Sequence, residues 1–569
     1  MTSSRRSRLK LLDCLPEQLQ EWSPGGLLAA GIFLLFLHVL FVWAAIVDFA
    51  KCIFLLVILC AFWIYVAVCA IEPLLPDSKH PWIVYANEEV TKRPYLGTLV
   101  AFVPLLAILI YVLVQAIGDG AKLSSLGTIL LILVISILCS DHPGRIKWRP
   151  VVWGLLLQYV LAFLILKWPT GQNAVQFTVE KIVAFLSYTS NGTSFVYGFI
   201  AAPPTICGLE APFTYSALQT FIFFSSIFTL AYYLGIVQWV LRRYTMGTTA
   251  AESLNVMGSC LMGPTEAAVM LKYALTSMTT SEIVSSVAMS FSTLSGSLFA
   301  IYISFGACPS LLLAANVMSG PATVVVSKII SPEIQRSRQH NMKTFKFPEP
   351  EEETALQAIS SGAISAGYIV TAIVVNLIVF LALIALLDRT LSYLAELVGF
   401  DGITFDVLLG YAFFPVALFM GSSAAPDWET RKAETLKIAQ LIGSKTVLNE
   451  FIAYQEMQQM LLRGEISARA QVIAVFALCG YSNAGQIGGV LAQFAAMCPE
   501  RRAAFAKAST KGLLIGSLAC FMTACVAGSI ADDSMGCMPD NPAANCVDIS
   551  DVMQYFLPGP KTTSNFPVR

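Results

Sequence analysis

Two carboxylates stand where an apolar chain has little reason to keep them. Glu266 follows Gly263-Pro264-Thr265 in the stretch GSCLMGPTEAAVMLK, residues 258–272, and Glu450 follows Asn449 in VLNEFIAYQEM. Proline is tolerated at the first position of a helix, because that N–H has no intrahelical partner. The Gly-Pro pair therefore predicts one half-helix ending near Met262 and another starting at Pro264. A carboxylate in the first turn or two of a half-helix meets free N–H groups and partial positive charge, which favour its ionised form. An ionised carboxylate only accepts hydrogen bonds, so two of them facing one cavity suit a polar solute that carries hydroxyls. The structural alternative is that each pairs with a neighbouring lysine, Lys272 or Lys445.

Other polar residues fall near these two. Thr293 and Ser297 lie one turn apart on one face of an expected span at 284–306, and Gly296 between them would let that span unwind. Freed carbonyls and hydroxyls are hard oxygen ligands of the kind sodium takes. Close packing of small residues between helices is the competing reading. Gly480-Tyr481-Ser482-Asn483-Ala484-Gly485-Gln486 interrupts a later span. Asn483 and Gln486 are three apart, which on a helix places them on one face and favours a polar pocket. Gln493 reads as an interhelical hydrogen bond. His38, one of four histidines, falls in an apolar run and reads as a helix contact. The fourteen cysteines show no CxxC and no metal-type spacing with histidine. Cys537 and Cys546 sit in a polar tail and are expected to pair if that tail is extracellular.

The elements that position these residues are membrane helices. The 569 residues are 56% hydrophobic and 12% charged, where soluble domains carry about a quarter charged residues. A net charge of −1 offers no basic field for nucleic acid. No short apolar core with a cleavage site precedes the first span, so no removable signal peptide is expected. Spans are expected near 26–48, 53–72, 98–117, 126–140, 151–167, 213–241, 284–306, 308–330, 366–387, 470–495 and 512–531, about eleven in all. Residues 172–212 and 388–400 read as interfacial segments. The fold class is all-α polytopic membrane protein.

Basic loops orient it. With the N-terminus in the cytoplasm, the loop of Arg145, Lys147 and Arg149 falls inside. So do Arg242-Arg243, the linker of Arg336, Arg338, Lys343 and Lys346, and the loop of Arg501, Arg502, Lys507 and Lys511. The sequon Asn191-Gly192-Thr193 and the C-terminal tail fall outside. Two broken stretches, about 247–276 and 404–462, then enter from opposite faces, and each is followed by two spans. Their tips look alike, Leu-Met-Gly-Pro-Thr-Glu at 261–266 and Leu-Ile-Gly-Ser-Lys-Thr at 441–446. Paired interrupted segments in two halves are the mark of an inverted repeat with a midplane site. The division expected is a cytoplasmic segment 1–25, a three-span region 26–117 and scaffold spans with an interfacial helix at 118–212. Repeat 1 at 213–330, a cytoplasmic linker 331–365, repeat 2 at 366–531 and an extracellular tail 532–569 complete it.

The runs GPTEA at 263–267, ISFG at 303–306, NEFIAY at 449–454, ALCGYSNAGQIG at 477–488 and ACFMTACVAG at 519–528 resemble the concentrative nucleoside transporters. The resemblance covers about 95–531, and three additional N-terminal spans are similar to the animal branch. It implies a cation-coupled importer of nucleosides in the plasma membrane, acting by alternating access, and a homotrimer whose protomers each carry substrate. It assigns Thr265 and Glu266 to the nucleobase, with Pro264 where the family has glutamine. Glu450 and Asn483 go to the ribose. Asn449, Ser297, Tyr481 and Gln486 complete the substrate set, Tyr481 standing at a usual phenylalanine and Gln486 at a usual serine. The sodium ligands implied are Ser259 at an asparagine position, the Met262 carbonyl, Thr293 and the Leu294 carbonyl. With Ser259 in place of an amide, proton coupling through Glu266 or Glu450 is an alternative, as is a relative that binds without transporting. A membrane enzyme is the remaining class, and its nearest constellation, Asp532-Asp533, has no partners in the sequence.

Overall fold

The computed structural model describes residues 94–203, 249–335 and 404–531 almost throughout, most of 211–237 and 350–399, parts of 32–46, and 535–537. The expected span 53–72, the tail beyond 537 with Cys546, and Met262 lie outside the described residues. Those described fold as helices, with no strand among them. The chain divides into two compact units, 1–97 with 229–243 and 350–358, and 98–228 with 244–349 and 359–569. All candidate residues fall in the second.

Before the repeats come α1 (Pro94–Ala116), α2 (Gly120–Leu138), α3 (Trp148–Ala162, continued by a π turn), α4 (Pro169–Ser187) and α5 (Thr189–Tyr197), and repeat 1 opens with α6 (Gln219–Tyr233). α2 starts six residues earlier than its apolar run, because Asp119 caps it. The Asp119 carboxylate accepts from the backbone N–H groups of Ala121 and Lys122 at 3.0 and 3.2 Å. The polar start is used in packing. Ser124 and Ser125 donate to the carbonyls of Phe419 and Met420, each at 2.7 Å. Those carbonyls end a later helix, where no intrahelical donor reaches them, and the Thr128 hydroxyl also donates to that of Phe419. The interfacial stretch resolves into α4 and α5, with Asn191 exposed on α5.

Repeat 1 continues with α7 (Ala250–Leu261), α8 (Pro264–Met270), α9 (Thr280–Ser292), α10 (Phe299–Ser304) and α11 (Pro309–Ile330). Then come α12 (Ala355–Leu397), α13 (Phe405–Phe419), α14 (Trp428–Val447), α15 (Glu450–Leu462), α16 (Ala468–Leu478), α17 (Gln486–Met497) and α18 (Arg502–Ile530). α7 packs on α8, and α14 on α15. At 12 and 7 residues, α7 and α8 are too short to cross a bilayer that needs roughly 20. The core of the second unit is α9 and α16 with α11 and α18 around them; every residue of Ser281–Ser292 and of Arg469–Leu478 is buried.

Four expectations change. The span at 366–387 and the interfacial piece at 388–400 are one helix, α12, of 43 residues; its sequence has neither proline nor glycine where the break was expected. The second hairpin breaks at Leu448-Asn449, not at Gly443-Ser444-Lys445-Thr446, which is helical. Asn449 decides this, since its side chain accepts from Ile452 N–H at 3.1 Å and starts α15. Gly443 is there for close approach instead: a Cβ on it would lie 2.7 Å from that of Leu409. Thr293 and Ser297 do not share a helical face, because the chain leaves the helix at Thr293 and Ser297 stands in a short 3-10 turn, Gly296–Leu298. Finally, Cys537 pairs with Cys308 and not with Cys546. Backbone bonds of Cys537 to the Gln471 side chain, 2.9 Å in and 2.7 Å out, bring the tail back to α16 and so to Cys308. A non-reducing digest is expected to yield Cys308 and Cys537 in one cross-linked peptide. Recovering Cys308 alkylated without prior reduction rejects the pairing.

The two ends of the second unit differ in chemistry. At one end, Lys511 binds the Asp141 carboxylate at 2.5 and 2.7 Å, and Asp141 N–H donates to Ile330 O at 2.9 Å. Arg501 donates there to the carbonyls of Leu275 and Met278, at the base of the first hairpin. At the other end stand the Cys308–Cys537 bridge and the start of α16, next to the base of the second hairpin. Three of the basic loops thus meet on one face, and the two hairpins open to opposite faces.

Candidate functional site

Two breaks, one per repeat, touch back to back. Gly480 takes φ +87°, and a Cβ there would lie 2.6 Å from Phe291 O and 2.6 Å from the Ser292 carbonyl carbon. The break after α16 therefore presses its backbone against the end of α9. Gly263, at φ +131°, makes a similar approach: its absent Cβ would stand 2.8 Å from the Ser295 Cα and Oγ and from Glu266 Oε2. Glycine is required at both positions for conformation and for space.

Glu450 is buried in the first turn of α15. Asn483 Nδ2 donates to its Oε2 at 3.0 Å, and the Tyr302 hydroxyl to its Oε1 at 3.3 Å. Asn483 Oδ1 in turn accepts from Gln486 N–H at 2.9 Å. Asn483 lies in the break and Gln486 begins α17, so the amide bridges break, helix and carboxylate rather than sharing a helix face with Gln486. Tyr302 is locked between Phe451, stacked at 5.3 Å, and Tyr454, at 4.9 Å. The Tyr481 hydroxyl accepts from Ser295 N–H at 3.0 Å. One tyrosine hydroxyl thus holds the unwound segment of repeat 1 and another the carboxylate of repeat 2.

Around that unwound segment lie the candidate cation ligands. Thr293 ends α9 and is fully buried, with its hydroxyl donating to Met289 O at 2.9 Å. Leu294 N–H donates to Asn316 Oδ1 at 2.8 Å, and Asn316 Nδ2 donates to Cys260 O at 3.0 Å. One amide on α11 thus ties the end of α7, where Ser259 precedes Cys260, to the break after α9, where Thr293 precedes Leu294. Ser259 Oγ is buried without a hydrogen-bond partner, and so is Glu266 Oε2. A buried oxygen left unpaired costs about 1–3 kcal/mol, which an oxygen-seeking cation removes. Thr265 is exposed on α8, and its carbonyl accepts from Gln493 at 2.9 Å, the interhelical bond expected of that glutamine. Pro264 is buried at the start of α8. Asn449 is committed to its cap.

Lys445 does not serve as the direct partner of Glu450. Its ammonium donates to the carbonyls of Ala477 and Cys479 at 2.9 and 3.0 Å. The sequence reading also passed over Asn316 and Tyr302. A single amide in the apolar run 309–330, and a tyrosine next to ISFG, were the signals available.

Two family models match, Na+ dependent nucleoside transporter N-terminus over residues 127–200 and Na+ dependent nucleoside transporter C-terminus over 311–528. Sodium/nucleoside cotransporter 2 of Rattus norvegicus is 33% identical over 517 residues, covering 85% of this chain and 74% of that one. The chain belongs to the sodium-dependent nucleoside transporter family. Sodium/nucleoside cotransporter 1 of Mus musculus is 32% identical over 530 residues, 90% of this chain and 78% of its own. The solved structure of CNTnw in an inward-facing substrate-bound state shares 27% identity at a TM-score of 0.67, covering 73% of this chain and 99% of that chain. A variant of CNTnw in an intermediate state matches with the same TM-score and identity, over 73% of this chain and all of that one. Members of this family are transporters, so the membrane-enzyme class is set aside. The second family model covers Glu450, Asn483 and the break after α16, while Gly263, Glu266 and Thr293 lie between the two matched ranges.

Proposed function

We propose that this chain carries nucleosides into the cell across the plasma membrane, coupled to sodium, by alternating access. The observation that carries the reading is the pairing of a fully engaged carboxylate with a poised one. Glu450 is held by Asn483 and Tyr302 at the start of α15, an arrangement that presents a carboxylate edge to ribose hydroxyls. In the first hairpin, Ser259 and Glu266 keep buried oxygens without partners. Sodium bound by Ser259, Thr293 and the carbonyls of Met262 and Leu294 would fix the tip of hairpin 1 against the unwound segment. Through Ser295 and Tyr481 the same event braces the break that carries Asn483, the donor to Glu450, so that cation and nucleoside each favour the other's binding.

Thr265 and Glu266 would meet the base, with Pro264 removing one amide from that contact. Ser297, Tyr481 and Gln486 would line the remainder. Both hairpins with their breaks form the moving part, and it exposes the site to each side in turn. Solved CNTnw states include inward-facing and intermediate forms. The basic face, with Asp141 and Lys511, is assigned to the cytoplasm, and the Cys308–Cys537 face, with Asn191 glycosylated, to the outside. A homotrimer is the proposed assembly.

The test is uptake of a labelled purine and a labelled pyrimidine nucleoside into cells expressing the chain, in sodium and in choline, at two pH values. Uptake in sodium is expected to exceed that in choline by about tenfold or more, the scale of a coupling energy of 1–3 kcal/mol. Equal uptake in choline that rises at the lower pH identifies protons as the coupling ion and overturns the sodium assignment. Specific nucleoside binding with no flux in either ion marks the chain as a binding-competent but inactive relative.

A further inference from the structure

The two repeats agree residue for residue at one point that the function above does not use. Ser259 stands two residues before the end of α7, which closes at Leu261. Lys445 stands two residues before the end of α14, which closes at Val447. The half-helix that follows each hairpin ends at Ser292 in repeat 1 and at Leu478 in repeat 2, so Thr293 and Cys479 are matching first residues of the two breaks. In repeat 1 this pair of positions, Ser259 and Thr293, is the candidate cation site. In repeat 2 the same pair is already joined: Lys445 Nζ donates to Cys479 O at 3.0 Å and to Ala477 O at 2.9 Å.

We propose that the Lys445 ammonium is a built-in cation, filling in repeat 2 the place that a mobile cation takes in repeat 1. The inference rests on the cation reading of Ser259 and Thr293 given above. Carbonyls at the end of a helix lack intrahelical donors and carry the negative end of its dipole. A cation of either kind, sodium or ammonium, answers that need. Lys445 is among the largest fully buried side chains, and lysine is almost never fully buried without partners. Two carbonyls accept from two of its three N–H groups, and its charge acts on the Glu450 carboxylate five residues on. In repeat 1 the matching arm position holds a serine whose hydroxyl has no partner, and a carboxylate, Glu266, follows it seven residues on.

The consequence is an asymmetry of gating. Hairpin 2 carries its cation covalently, so the arm, the break after α16 and Glu450 remain joined whether or not sodium is present. Hairpin 1 has to take its cation from solution, so only its tip is ordered by the ion. One exchangeable ion then controls one of two otherwise matching gates, and the nucleoside's ribose end stays assembled throughout the cycle.

The experiment compares Lys445→Ser with Lys445→Met in the full chain, reconstituted in proteoliposomes, over a range of sodium concentrations. Each removes the ammonium, but only serine restores the oxygen that repeat 1 has. Initial nucleoside uptake and the charge moved per nucleoside are read together, with thermal stability in detergent at each sodium level. Lys445→Ser is expected to lose activity at low sodium and to recover it at high sodium, moving about one more elementary charge per nucleoside than the native chain, since a second ion now binds by mass action. Its stability rises with sodium more steeply than that of the native chain. Lys445→Met is expected to fall by about a hundredfold, the cost of about 3 kcal/mol of lost charged hydrogen bonds, with no recovery in sodium. An identical sodium response of the two variants, or an unchanged charge ratio in Lys445→Ser, overturns the inference. So does a Lys445→Ser protein that stays unfolded at every sodium concentration. If the native chain itself moves no charge with nucleoside, the coupling reading is what fails; if it does and the serine variant matches it, the built-in cation is what fails.

Discussion

Glu450→Ala is expected to lower nucleoside uptake by about a hundredfold or more while the protein still reaches the surface. The residue accepts from Asn483 and Tyr302 and occupies the first turn of α15. Removing it would strip the acceptor proposed for the ribose hydroxyls, and hydrogen bonds to a charged group contribute about 1.5–3 kcal/mol each. Two such bonds at the lower end correspond to about a hundredfold. It also leaves the Asn483 amide and the Tyr302 hydroxyl competing for the vacated space. Glu450→Gln keeps the shape and separates charge from packing, and should be nearly as inactive if charge is what holds the sugar. Initial rates normalised to surface-biotinylated protein decide it. Uptake within about threefold of the native rate, less than 1 kcal/mol, would remove Glu450 from the site.

Gly480→Ala is expected to destabilise the second unit strongly. Its φ of +87° costs a non-glycine residue about 1–3 kcal/mol. The added carbon would also meet backbone atoms of Phe291 and Ser292 at 2.6 Å, which have no rotamer with which to move aside. Overpacking of a tight core costs about 1–3 kcal/mol more, so a loss of about 3 kcal/mol or more is expected, with uptake lost alongside. Gly488→Ala is the control. It lies on α17 with nothing within 4 Å of its added carbon, and replacing a helical glycine by alanine favours the helix by up to about 1 kcal/mol. Melting curves of the two variants in detergent should separate widely. Equal melting temperatures would mean that the two breaks are not in contact.

Hairpin 1 was legible from its chemistry. Gly263-Pro264 cannot be read as continuous helix, and Pro264 does begin α8. Hairpin 2 was legible only in part. Its Gly443 resembles Gly263 in sequence, yet the helix runs through it, because Leu409 presses on that face and Asn449 supplies the cap five residues later than the expected break at 444. A glycine reports either a break or a close approach, and the neighbour that decides between them is distant in sequence. The same limit explains Cys537. Its partner, Cys308, is 229 residues away, and only the return of the tail to Gln471 brings the two together.

The residues themselves determined that this is a helical membrane chain, that it is built from two halves broken in matching places, and that acidic side chains mark those breaks. These properties follow from apolar content, backbone valence and the position of glycine, proline and capping residues, all of which act over a few residues. The tertiary structure decided which groups share a hydrogen bond. Asn316 reaching from α11 to both Cys260 and Leu294, Tyr302 reaching Glu450, and Lys445 turning to Ala477 and Cys479 instead of to the carboxylate beside it are such choices. Each is a buried polar group finding a partner across the fold, and burial leaves it no water to choose instead.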